Sequence, residues 1–189
     1  KMYLEIDVSH DGTGSFSAIR IGHAMIDYVE IEIGGQPIDK HYGEWMDLWT
    51  QLSSNQEQYA KLERLINGSL LVANGSTGAS GAPASKLYIP LQFWFNRNPG
   101  LALPLIALQY HEVKLNLQLK RQNLVDNLSH HVGGNITLKN ICLFCDYIFL
   151  DTDERRRFAQ VSHEYLIEQV QFNGKKNIKP DQNMYNIDL

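Results

Sequence analysis

Hydrophobic residues along this chain recur mainly at every second position. Met2, Leu4, Ile6 and Val8 alternate with Tyr3, Glu5 and Asp7, the pattern of a strand with one face on a core. Val29, Ile31 and Ile33 alternate with Glu30 and Glu32 and stop at Gly34-Gly35, a pair suited to a tight hairpin turn. Gln36 to Asp39 then reads as a short return strand, with Pro37 placing it at a sheet edge or a strand start. The longest ordered stretch is Leu87 to Lys120. Leu87, Ile89, Leu91, Phe93 and Phe95 share one parity, NRNPG at 96–100 breaks the run, and Val113, Leu115, Leu117 and Leu119 share a parity opposite Glu112, Lys114, Asn116, Gln118 and Lys120. Residues 136–150 are apolar on both parities and predict a strand covered on both faces, and 164–172 a last strand.

The period lengthens between the second hairpin arm and the central stretch. Trp45, Leu48, Trp49 and Leu52 form one helical stripe, and Tyr59, Leu62 and Ile66 another behind a capping box at Ser54-x-x-Glu57, with Asn67-Gly68 as its stop. Residues 73–85 carry almost no large side chain and predict a surface loop. Asp151 to Gln160 begins acidic and continues into arginines, which suits a short helix. About seven strands, with helices only in connections and no βαβ alternation, predict an all-β sandwich.

Composition narrows the chemistry. A formal net charge of −4 gives no overall field that would draw in nucleic acid or an acidic membrane. No apolar run reaches the roughly 18 residues of a membrane span. Cys142 and Cys145 lie three apart in a strand pattern, pointing to opposite faces, so they read as buried, reduced thiols rather than a disulfide or half a zinc site. That usage fits a reducing compartment. Lys1 enters directly into a strand pattern and MYNIDL at 184–189 reads as a strand beginning, so a longer parent chain is expected.

Catalytic signatures are missing. His111-Glu112 and His163-Glu164 do not extend to HExxH, His130-His131 is the only adjacent histidine pair, and neither a GxSxG elbow nor a phosphate-binding GxxxxGK[ST] loop occurs. No cofactor is expected. Asp151, Asp153 and Glu154 could hold a cation and Arg155, Arg156 and Arg157 a phosphate, but helix capping and ion pairing account for them more simply. Trp45, Trp49, Trp94, Phe93 and Phe95 could stack on sugars or bases, although core packing suits their parities better, with Trp94 the exception that could face a partner. Sequons stand at Asn67, Asn74, Asn127 and Asn135.

Three long blocks resemble one family. They are IDYVEIEIGGQPIDKHYGEWMDLW (26–49), LYIPLQFWFNRNPGLALPLIALQYHEVKLN (87–116) and YIFLDTDERRRFAQVSHEYLIEQVQ (147–171). In this order they resemble the major capsid protein of nucleocytoplasmic large DNA viruses. The resemblance implies a jelly-roll β-sandwich of eight-strand type lacking its first strand, occupying 1–172. It further implies an inter-domain linker at 173–183 and the start of a second jelly roll at 184–189. It implies a structural, non-enzymatic protein of the virion, assembled in the host-cell cytoplasm. Its partners would be itself in a homotrimeric capsomer, neighbouring capsomers, and minor capsid and penton proteins, with no direct nucleic-acid contact and only indirect contact with an internal membrane. Asp151 to Arg157 are then expected to contribute intersubunit or interdomain ion pairs, and the 73–85 loop to lie at the exposed end of the capsomer. The alternative from another class is a carbohydrate-binding β-sandwich using Trp94.

Overall fold

In the computed structural model, residues 1–10, 16–17, 20–67, 85–120, 130–131, 136–174, 177, 184 and 186 are described. Of the expected 73–85 loop only Ser85 is described, where it starts a strand; most of the linker and second-domain residues, and the sequons at Asn74, Asn127 and Asn135, lie outside the described residues. Strand β1 (Met2–His10) is central to the first sheet, with β5 (Ser85–Pro90) on one side and β8 (Ile136–Cys145) on the other, both antiparallel. In the second sheet β3 (Ile26–Ile33) lies between β4 (Gln36–Tyr42) and β6 (Val113–Leu119). The two-residue strands β2 (Phe16–Ser17) and β7 (His130–His131) pair with each other. The architecture is all-β, with short helices in the connections.

Parity does what the pattern requires. Leu4 opposes Ile89 and Ile6 opposes Leu87, and all four are buried. Across the core, Val29 opposes Leu117 and Ile31 opposes Leu115, the valine and isoleucine buried and the leucines packed half-buried against one common cluster. Gly34 and Gly35 both take positive φ, 59° and 81°, closing the β3–β4 hairpin as their sequence predicts.

Several expectations are corrected. The alternation through 87–95 is not one strand: β5 ends at Pro90, and Trp94–Arg97 form a single helical turn, α4. A strand could not bury three consecutive residues on one face, whereas this turn buries Phe93, Trp94 and Phe95 together. In helix α2 (Gly43–Ser53) the inward residues are Gly43, Met46 and Thr50, while Leu48 and Leu52 of the predicted stripe are 55% and 82% exposed. The cap of α3 (Gln56–Asn67) sits one residue later than predicted. Asn55 Oδ1 accepts from Gln58 N at 2.8 Å, and Gln58 Oε1 from Asn55 N at 3.2 Å.

Strand β8 stops at Cys145, five residues before the predicted end, and is not covered on both faces: Ile141, Leu143 and Phe144 are each more than 40% exposed. Among the described residues it pairs only with β1. Cys142 is exposed and Cys145 half-buried, both free, which corrects the buried reading; partial burial pushes the Cys145 thiol up. Asn140, at φ 47°, is the extra residue of a bulge where the β1–β8 register shifts, and its Nδ2 donates to Asp7 Oδ2 at 3.0 Å. Residues 164–172, predicted as a last strand, belong to no strand among the described residues.

The connections are anchored where α1 (Ile21–Ala24), α2 and α3 meet. Arg20 Nε lies 3.2 Å from Asp47 Oδ1, Arg20 Nη1 donates to Tyr59 Oη at 3.2 Å, and His23 Nδ1 lies 3.6 Å from Asp47 Oδ1. Partial burial raises the Asp47 carboxyl, but the His23 hydrogen bond and the Arg20 and His23 charges outweigh it, leaving the pKa below its ordinary 3.8. A depressed carboxylate contributes stability that is present above the unfolded-state value and lost as pH falls through the folded one. Asp47→Asn is therefore expected to lower stability at neutral pH and to flatten its decline below pH about 4, read from urea midpoints across a pH series.

Gly43 starts α2 against the end of α1. A Cβ there would stand 2.2 Å from His23 O and 2.5 Å from Ile26 O, both backbone atoms that cannot step aside. Gly43→Ala is expected to cost about 3 kcal/mol or more, measured as the change in unfolding free energy.

Candidate assembly surface

Beyond β8 the chain leaves the sandwich. Tyr147, Ile148 and Phe149 are 65%, 67% and 91% exposed, and helix α5 (Thr152–Gln160) follows with no buried residue. All six residues singled out in the sequence meet here. Asp151 is the N-cap: its Oδ1 accepts from Glu154 N at 2.9 Å, and its carbonyl accepts from Arg155 N at 3.0 Å. Asp153 and Glu154 occupy the first turn, where the helix dipole favours anions, and Arg157 the last, where it favours cations.

Among the described residues these charges are poorly satisfied. Arg156 Nη1 lies 3.9 Å from Asp153 Oδ1, with both side chains more than 70% exposed. Such a pair contributes about 0–1 kcal/mol. Among the described residues neither Arg155 nor Arg157 has an ion-pair partner. After α5 the chain doubles back, with the His163 ring stacked 4.9 Å from Phe158 and His163 Nε2 2.8 Å from Phe158 O. Val161 and Leu166 are then 57% and 75% exposed. The result is an arm carrying mixed charge on its helix and large apolar side chains at both of its roots. Apolar exposure of this kind marks interaction surfaces.

Other predicted features do not converge on chemistry. Trp94 is 2% exposed and packs edge-on against Phe95 at 5.0 Å, so no sugar can stack on it. Trp49 is half-buried with the Arg97 guanidinium 4.4 Å from its ring centroid. Among the described residues no group of three His, Cys, Asp or Glu side chains is placed to hold a metal. A shallow cleft of about 590 Å³ is lined by Lys1, Met2, Tyr3, Tyr88, Pro90 and Asn96 among others, and no carboxylate, histidine or thiol is among its described lining residues.

Sequence reasoning missed Asp39 and His41. They lie on the inner face of β4, side chains fully buried, with His41 Nε2 2.8 Å from Asp39 Oδ2 and the His41 ring stacked 4.6 Å from Phe93. A two-residue hairpin would set Ile38 opposite Ile31, but a register shift between Ile31 and Glu32 sets Asp39 there. Pro37 in the strand was the one signal of such an irregularity.

Large apolar side chains exposed at the end of β8 and beside a charged helix have the make-up of an interaction surface. Comparison with known proteins agrees. Residues 1–151 match the family model "Major capsid protein N-terminus". The chain is 47% identical over 180 residues to the major capsid protein of Pyramimonas orientalis virus, covering 94% of this chain and 43% of that one. It is 43% identical over 182 residues to capsid protein 1 of Acanthamoeba polyphaga mimivirus, covering 90% and 31%. It superimposes on a chain of the PBCV-1 virus capsid quasi-atomic model with a TM-score of 0.74 at 40% identity, covering 96% of this chain and 42% of that one.

The chain belongs to the major capsid protein family of large DNA viruses, and its sandwich is the family's jelly roll. It spans less than half the length of these relatives.

The Asp151 cap yields a local expectation. Asp151→Ala should destabilise α5 by about 1 kcal/mol. Faster amide exchange at Glu154 and Arg155, with exchange in β1 unchanged, is the measurement.

Proposed function

We propose that this chain is the first jelly-roll part of a structural major capsid protein, a building block of the virion shell without enzymatic activity. The observation that carries the reading is the match of nearly the whole chain, in sequence and in fold, to capsid subunits of large DNA viruses. In this reading residues 1–172 form the first jelly roll, 173–183 the linker and 184–189 the entry to a second. Three subunits close into a pseudo-hexagonal capsomer, since a heterologous interface used three times makes a ring without open-ended growth. Neighbouring capsomers, minor capsid proteins and penton proteins are its lateral partners. Nucleic acid is not contacted directly, and an internal membrane only indirectly. Assembly takes place in the host-cell cytoplasm.

Asp151, Asp153, Glu154, Arg155, Arg156 and Arg157 are the proposed source of intersubunit or interdomain ion pairs. Mixed charge left unsatisfied among the described residues, beside exposed Tyr147, Ile148 and Phe149, supports that role. Charges removed from water at an interface contribute far more to specificity than charges on a free surface.

Light scattering after size exclusion on the full-length parent protein tests the assembly. A stable species at three times the chain mass is expected, and a monomer over a wide concentration range would overturn the reading. Reversing Arg155, Arg156 and Arg157 to Glu should raise the concentration needed for half-assembly by about tenfold or more. A trimer of unchanged stability would remove these residues from the interface.

A further inference from the structure

We draw no further inference here: the strongest candidate, the outward apolar face of helix α2 formed by exposed Leu48 and Leu52 beside half-buried Trp45 and Trp49, carries none because nothing in the structure shows what covers it.

Discussion

Register is the constraint on which the rest of this fold depends. Each sheet turns alternate residues inward, and the two sheets share a core only because β1, β5, β3 and β6 all present their apolar parity to the same interior. Full burial of a Leu, Ile or Val side chain contributes about 1.5–3 kcal/mol, and β1 alone buries Leu4, Ile6 and Val8. A net stability on the order of 5–15 kcal/mol leaves no room for a one-residue slip in that strand. The bulge at Asn140 is tolerated because it lies in the outer strand β8. There the extra residue re-aims one side chain toward Asp7 and leaves the inner four-strand agreement intact.

The elements most legible in the sequence were those whose facing is fixed by strong alternation and whose ends are fixed by turn chemistry. β1, the β3–Gly34–Gly35–β4 hairpin, β6 and the capped helix α5 all formed where their patterns placed them. The misreadings share a physical cause: local pattern does not reveal which neighbour an element meets. The Leu48 and Leu52 stripe of α2 looked inward, but the close approach at Gly43 rolls the helix so that Met46 and Thr50 face the core. Phe93 to Phe95 kept strand parity in sequence, yet a helical turn buries all three. Asp39 and His41 face inward because a register shift in β4, which no local pattern specifies, sets Asp39 opposite Ile31. At the assembly surface the acidic-to-basic helix was readable because capping is local, whereas the exposure of β8 was not, since it depends on what lies beside that strand.

Core and surface divide the work of this jelly roll. The interior is almost wholly apolar, with its buried polar groups gathered at His23, Asp39, His41 and Thr50. Large apolar side chains left outside concentrate at the end of β8 and on the arm that follows, adjoining the charged helix. An apolar centre with charged residues beside it is the arrangement found across protein interfaces. Rigidity from the first and contact from the second are separable because they draw on different stretches of chain.

The pairing of β1 with β8 also sets an order of events during synthesis. Met2 pairs with Cys145 and Val8 with Leu138, partners at opposite ends of the folded sequence. The β3–β4 hairpin can close as soon as Tyr42 leaves the ribosome, because its contacts are local, but β1 has no complete sheet to join until β8 emerges. Once β5 has emerged it can pair with one edge of β1, but until β8 follows Leu4, Ile6 and Val8 belong to a strand with the other edge unsatisfied, the kind of transient species that aggregates or recruits a chaperone. The same long-range pairing that ties the finished sheet together therefore leaves the centre of that sheet half-protected until its most distant strand arrives.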